Sequence, residues 1–375
     1  MSLAAMLGLE TRDPGECIIK IGGSEFSKFY ANLQKTEVRL TRKGSAQAIL
    51  TFVMVRHNGR YELAEDPRIR SWAPIEIIVV FGTSEEPFFN GYIQQISTSV
   101  PEQGQVATLT LICQDKLAAM DRNQRNLPWE EQTNIDIISA LLANYDLTLN
   151  TDLPPSPPMS YHQNQTDYRF LRMLVGQNYE WYLRNNVGVE QLFFGPPRTT
   201  AEASGKTILV NAGKDTNCTE FNISFDGYSP DRIRVSTAPL SGDQISIAEQ
   251  NPVTQLMGTR PADSADSGLE EFAWNQPPGN GNDQQSAEAS ALANAEENAL
   301  KLKANGKLIG TVFGQLLLPG SMVEVGGAGD NNGKWYVDST THVFDSTNYI
   351  VNFQLIRNSA VGEEQSDEHI LSGIL

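Results

Sequence analysis

Among side chains able to move a proton or hold a metal, the four histidines His57, His162, His342 and His369 come first. None lies three or four positions from another histidine or a cysteine, the spacing that would set two ligands on one zinc ion, so no zinc site is expected. His342 sits in an alternating strand pattern and reads as a hydrogen-bonded sheet histidine, not a general base. Cys17, Cys113 and Cys218 are odd in number and far apart, which gives neither a disulfide framework nor a CxxC pair and points to folding in a reducing compartment. A serine nucleophile would lack its GxSxG turn.

Glycines can let backbone amides cradle a phosphate, and Gly326-Gly327-Ala328-Gly329-Asp330-Asn331-Asn332-Gly333 has to be weighed as such a loop. A GxGxxG reading from Gly327 and Gly329 needs a third glycine where Asn332 stands, no GKS or GKT exists, and Lys334-Trp335-Tyr336-Val337 continues as strand, not helix. As a calcium loop it meets Lys334 where a third oxygen ligand belongs. A long hairpin loop is the reading that remains. The carboxylate pairs Glu130-Glu131, Glu270-Glu271 and Glu296-Glu297 are neighbours in sequence, point apart, and read as solvated charge. Two acids from distant positions could still make a glycosidase, but nothing nominates them. In Trp181-Tyr182 and Trp335-Tyr336, alternation would turn one ring of each pair outward, for core or interface packing. No catalytic, cofactor-binding or metal-ligating residue is nominated, and an enzyme is not expected.

Composition narrows the partners. Forty-five acidic against 28 basic residues give a net charge of -17, which disfavours stable nucleic-acid binding and anionic membranes. No run approaches the roughly 18 apolar residues of a membrane span. Ser2–Leu9 is mildly apolar with no cation before Arg12, so it reads as a docking segment or tail, not a secretory signal. A chain of 375 residues, 40% of them hydrophobic, predicts two or three domains.

Period-two alternation dominates from Cys17 to Asp115, clearest in Ala107–Leu111, while Ile75–Phe81 is apolar enough to be covered on both faces before Gly82-Thr83-Ser84 breaks it. This is a small barrel or sandwich. The period then changes. Thr133 and Asp136 resemble a capping pair before a helix with Ile135, Ile138, Leu141, Leu142 and Tyr145 on one stripe. Pro154–Pro158 makes a stiff connector. Thr166 can cap a second helix with Phe170, Leu171, Leu174 and Val175 inward and Gly176 at its end, followed by the strand of Tyr179, Trp181 and Leu183.

Strands resume at Phe221–Phe225 and Ile233–Val235, and a Gly-, Pro- and Ser-rich stretch from about 239 to 283 is either disordered or an interaction element. An alanine-rich helix is predicted over Ser286–Lys303, with Ala291 and Ala295 on a small, flat face, Lys301 and Lys303 at its C-terminal dipole and Gly306 as its stop. Further strands are predicted at Ile309–Phe313, Met322–Val325, Trp335–Val337 and Tyr349–Ile356. The fold class is α+β, mainly β: a first β-domain at 12–118, a small α/β module at 119–215, a second β-domain at 216–358 interrupted by a loop and helix at 239–306, and a flexible acidic tail at 359–375.

Two stretches carry a resemblance. Gln165–Leu174, with Thr166, Asp167, Tyr168, Phe170, Leu171 and Leu174, followed by the aromatic strand around Trp181, resembles the helix-then-strand signature of contractile-tail hub proteins. Ala287–Arg357, with its alanine-rich helix, Leu318–Val325, the glycine-rich hairpin and Lys334–His342 around Trp335, is similar to the late control protein D family of phages, which is related to the hub part of type VI secretion spike proteins.

The resemblance implies two tube-like β-barrel domains in a homotrimer, giving six similar units around a channel and fitting a six-fold tail tube to a three-fold spike. It implies tail-tube, spike and baseplate-wedge proteins as partners, transient passage of DNA or cargo, and a place in a virion or injection-particle baseplate after folding in the bacterial cytoplasm. Ala291 and Ala295 are then candidate interface residues, as are Ile370 and Leu371 for docking on the spike, with a disordered tail as the alternative. Because the sequence stops at Leu375 without a needle domain, a separate spike protein is expected. Two other functions compete: a carbohydrate-binding or cell-wall-cleaving β-rich virion protein, and an adaptor facing the sheath.

Overall fold

The computed structural model describes residues 16–361 apart from 103–105, 154, 177–178, 187, 204, 238–245, 264–267, 271 and 277–283. Ser2–Leu9, Ile370 and Leu371 lie outside the described residues, as does part of the 239–283 stretch. The chain is mainly β with a few helices. It divides into two compact units, the first from residues up to 195 with 309–317 and 339–352, the second from 196–308, 318–338 and residues from 353 onward. The chain thus returns twice to the first unit after leaving it, a crossing that linear boundaries at 12–118, 119–215 and 216–358 do not contain.

In the first unit, alternation becomes a long antiparallel sheet. Its strands are β1 (Glu16–Ile21), β2 (Ser24–Glu25), β3 (Leu33–Thr41), β4 (Gln47–Met54), β5 (Pro74–Phe81), β6 (Ser84–Ser99) and β7 (Ala107–Asp115), hydrogen-bonded in the order β2-β1-β5-β6-β7-β4-β3. In β7 every second residue is buried, and register sets Leu109 and Leu111 opposite Phe52 and Leu50 of β4. Paired residues share a face, so these four meet Ile19, Ile21, Val38, Ile75 and Ile77 in one core. Each such burial contributes about 1.5–3 kcal/mol. In β5, Ile78 and Val80 turn the other way and cluster with Ile18, which explains the unbroken apolar run. A register shift against β6 falls between Ile77 and Ile78. Later chain completes this unit: residues 339–345 of β21 (Gly333–Asp345) pair with β3.

The α/β module belongs to the same unit. A short helix α1 (Leu117–Met120) leads into β8 (Gln124–Gln132), α2 (Asn134–Ala143), β9 (Thr148–Thr151), β10 (Met159–Thr166), α3 (Asp167–Val175), β11 (Glu180–Asn186) and β12 (Val189–Gly195). β8 and β10 form a two-stranded ribbon; β11, β12 and β9 form a three-stranded sheet. The Thr133 hydroxyl accepts from the Asp136 amide at 3.2 Å, and that of Thr166 from the Arg169 amide at 3.3 Å, so both predicted N-caps are present. The buried stripe of α2 is Ile137, Ile138, Leu141 and Leu142. Ile135 and Tyr145 are only half-buried, because burying Ile137 beside Ile138 turns the helix away from the expected face.

In the second unit, β13 (Ile208–Leu209) runs parallel to β20 (Met322–Gly326), and β20 pairs antiparallel with the start of β21, so the glycine-rich run is the loop of a hairpin. β14 (Cys218–Phe225) pairs with β19 (Leu302–Ile309), and β22 (Tyr349–Arg357) follows β19 in the sheet. A small sheet of β16 (Ser246–Gln250), β15 (Arg232–Thr237) and β18 (Ala273–Gln276) carries the alanine-rich helix α4 (Gln284–Ala299), and β17 (Arg260–Pro261) pairs with β23 (Ser359–Val361).

Two expectations fail here. The helix stops at Ala299, and Lys301, Lys303 and Gly306 lie beyond it, with Lys303 and Gly306 inside β19. Within β19, Leu302, Ala304 and Leu308 are buried while Lys303, Asn305 and Lys307 are not, and that period of two overrides the helical composition. Gly306 is a packing glycine and not a stop: a Cβ there would lie 2.2 Å from the Phe353 ring and 2.4 Å from the Glu220 carbonyl. Ile309–Phe313 is not a strand either. Gly310–Phe313 forms a one-turn helix, α5, with the Tyr349 ring against the bare Gly310 backbone.

Candidate functional site

The signature helix α3 starts on a buried carboxylate. Asp167 is fully buried and accepts from Arg125 Nε at 2.9 Å, the Tyr145 hydroxyl at 2.7 Å and Gln163 Nε2 at 2.7 Å. These donors come from β8, the end of α2 and β10, so one side chain ties both helices to the ribbon. Burial and then the Asp167 hydrogen bond hold the Tyr145 phenol above its ordinary range, so it stays a donor. Phe170 and Leu171 are buried beneath, with Trp129 stacked near Phe170 and Tyr161 edge-on; Leu174 is half-buried. Trp181 and Tyr182 are both buried, against the expectation that one ring turns outward. Trp181 packs with Tyr168, and Tyr182 with Phe193 across the β11–β12 pair.

The module is fastened to β3 by backbone and charge together. The Trp181 amide donates to the Arg42 carbonyl at 3.1 Å, and the Gly44 amide to the Trp181 carbonyl at 2.9 Å. Beside this bridge, the buried Arg42 and Glu180 form an ion pair at 3.0 Å. Sequence reasoning missed the pair, because residues so far apart carry no local signal.

A cleft nearby is lined by Phe88, Asn90, Asp115, Leu183 and Glu190. Asp115, at the end of β7, accepts from Ser45 Oγ at 2.5 Å, the Ala46 amide at 2.5 Å and the Leu117 amide at 3.1 Å. Burial pushes its carboxyl up to about 7 against the pull of those donors, and the charge of Glu190 adds to the rise. Glu190 is itself raised by burial, opposed by Lys116 at 3.0 Å and Asn90 at 3.2 Å. Asp115 thus ties the Ser45-Ala46 turn to the start of α1, and Glu190 ties β12 to Lys116 and Asn90.

His342 matches its expected role. The ring is fully buried, with Nδ1 2.9 Å from the Tyr349 hydroxyl and Nε2 3.1 Å from both the Leu317 carbonyl and Thr340 Oγ1. A carbonyl only accepts, so Nε2 carries the proton and Nδ1 accepts from Tyr349. Burial lowers the pKa to about 4 and keeps the ring neutral. Both nitrogens are engaged and closed to solvent, which leaves no lone pair for a substrate.

In the second unit, Trp335 and Tyr336 are both fully buried, again against alternation. The Trp335 indole donates to the Asn331 carbonyl at 2.9 Å, and the Arg357 guanidinium lies 4.4 Å over its ring. Arg357 donates to the Ser359, Asn331 and Asn332 carbonyls, stitching the glycine-rich loop to the strand that follows β22. Glu296 is not simply solvated: its carboxylate accepts from the Val253 and Thr254 amides at 2.6 and 2.8 Å. Ala291 and Ala295 are buried against Ile233, Val235 and Ala248 of their own chain, which corrects their assignment to an interface between subunits. A face of methyl groups fits closely on any sheet, and here the sheet is intramolecular.

Among the described residues, no cluster of three His, Cys, Asp or Glu side chains could hold a metal, and no helix is long and apolar enough to cross a membrane. Asp115, Tyr145, Glu190 and His342, whose protonation burial shifts, are each hydrogen-bonded to groups of other segments of the chain.

Solved structures share this fold. The prophage MuSo2 43 kDa tail protein from Shewanella oneidensis is 13% identical with a TM-score of 0.69, over 92% of this chain and 99% of that one. The tail protein from Neisseria meningitidis MC58 is 12% identical with a TM-score of 0.65, over 91% and 96%. The E. coli c3393 protein, a type VI secretion system component with structural similarity to T4 bacteriophage tail proteins, is 12% identical with a TM-score of 0.55, over 93% and 79%. No curated protein matches the sequence. The model of the phage tail baseplate hub (GPD) family matches residues 69–348, which takes in the Asp167 helix, the Trp335 hairpin and most of both units. The chain belongs to the phage tail baseplate hub (GPD) family.

Proposed function

We propose that the protein is the trimeric hub of a contractile tail or related injection particle and works by geometry, without catalysis. Three copies close a ring, and two β-rich units per chain give six similar positions around a central channel. One face of the ring meets a six-fold tail tube, the other a three-fold spike, with wedge proteins at the periphery. The observation that carries this reading is the presence of two compact units in a baseplate-hub chain, both built on antiparallel strand pairs. The net charge of -17 fits a channel through which DNA or cargo passes without adhering, since acidic walls repel phosphate. Folding in the bacterial cytoplasm suits the three free cysteines.

The test is the oligomeric state of the purified full-length chain, alone and with tube and spike proteins, by sedimentation and low-resolution imaging. A three-fold ring with a six-fold-like face is expected. A monomer that stays monomeric at high concentration and with both partners present refutes the proposal.

A further inference from the structure

In the second unit, β14 is the outermost strand of its sheet. It pairs with β19 on one side, and among the described residues nothing pairs with the other. Register places Phe221, Ile223 and Phe225 opposite Gly306, Ala304 and Leu302, so all six share one face. On that face Ala304 and Leu302 are buried, and Phe221 packs against Trp335 and Phe353 with ring centroids 6.1 and 6.2 Å away. Ile223 and Phe225 continue the same apolar row yet are 37% and 50% exposed. They face a core whose cover stops short of them.

A further exposed apolar group begins three residues past Phe225. Tyr228 and Trp274, both exposed, stand with Phe272 in a triangle of edge-to-face rings 5.9–6.0 Å apart. Trp274 lies on β18, which pairs with β15 on one side and is the last strand of its own sheet. Acids beside this surface have lysine partners: Glu220 with Lys307 at 3.0 Å, Asp226 with Lys303 at 3.5 Å, and Asp231 with Lys301. A molecule of net charge -17 repels its own copies. Where acids are neutralised in pairs and apolar side chains wait on an open strand edge, a copy can approach.

We infer that the open edge of β14, with Ile223, Phe225, Tyr228 and Trp274, is the surface on which one chain receives a second copy of itself. The inference rests on the hub reading above and assigns one of its contacts. A closed head-to-tail ring requires two different surfaces per chain. A second exposed apolar group exists in the first unit, where pairing of Met54 with Ala107 and of Ser99 with Thr108 gathers the exposed Val55, Val100 and Val106 at one end of the sheet.

Sedimentation of the full chain against an Ile223→Lys, Phe225→Glu double variant tests this. The wild type is expected to form trimers, the double variant to associate at least tenfold more weakly, and Asn222→Ala, on the other face of the same strand, to behave as wild type. A folded double variant that still forms wild-type trimers overturns the assignment and leaves the hub reading standing, whether or not it has lost a tube or spike partner. A wild type that is monomeric throughout overturns both. Should the double variant misfold, amide exchange of the wild type decides: outer-edge amides of β14 that slow on trimer formation support the surface, and unchanged exchange rejects it.

Discussion

In His342 and Asp115 the fold shifts protonation in opposite senses for the same cause, burial of a charge. For His342 the folded pKa, about 4, lies below the ordinary 6.5, so the unfolded chain binds the extra proton between those values. Its contribution is fully present above pH 6.5 and is lost as pH falls towards 4. For Asp115 the folded value, about 7, lies above the ordinary 3.8, so the folded chain holds the extra proton, and stability is lost as pH rises from 3.8 through 7. Each contribution is on the order of a few kcal/mol, and over the shared window they partly cancel. Melting temperature followed from pH 4 to 8 should therefore change little in the wild type from these two groups. His342→Gln should remove the acid-side loss and leave stability falling with pH; Asp115→Asn should do the reverse. A variant whose pH profile keeps the wild-type slope would show that its group does not titrate as the burial demands.

At the scale of elements, α3 rests on signals that are all local. Its cap, its inward stripe and its stop at Gly176 lie within a dozen residues, and the structure keeps the cap, the stop and, of the stripe, Phe170, Leu171 and Val175, with Leu174 half-buried. Phe170→Ala and Leu171→Ala should each cost ~2–5 kcal/mol, and Thr166→Ala ~1 kcal/mol, in chemical denaturation of the first unit. The alanine-rich helix shows the opposite case. Its composition suits a helix through Lys303, yet the structure ends it at Ala299, because the switch to period two shows only later, in Leu302, Ala304 and Leu308. That its alanines face their own β15–β16 pair was not legible, since a small face names no partner. Nor was the Arg42–Glu180 pair, which depends on β11 reaching the end of β3. Ala291→Glu should therefore fail in folding, before assembly: a carboxylate with no partner would enter the contact with Ile233, Val235 and Ala248. Lowered melting of the isolated chain, with rapid proteolysis near the β15–β16 pair, is the expected result, and a stable variant defective only in assembly would contradict it.

For the molecule as a whole, a net charge of -17 sets the sign of any salt effect on association. Two copies approaching through exposed Ile223, Phe225, Tyr228 and Trp274 gain from removing apolar surface from water and lose from bringing acidic bodies together. The screening length falls from about 30 Å at 0.01 M salt to about 3 Å at 1 M, so added salt weakens the repulsion and leaves the apolar gain intact. An assembly held instead by ion pairs between chains would weaken over the same range. The lysines beside β14 already have acids of their own chain, Lys303 with Asp226 and Lys307 with Glu220, so few are left to bridge outward from that surface. Self-association measured by sedimentation should tighten several-fold between 0.02 and 0.5 M sodium chloride. Should it loosen instead, charge and not apolar contact would be holding the ring, and the β14 edge would lose its part in it.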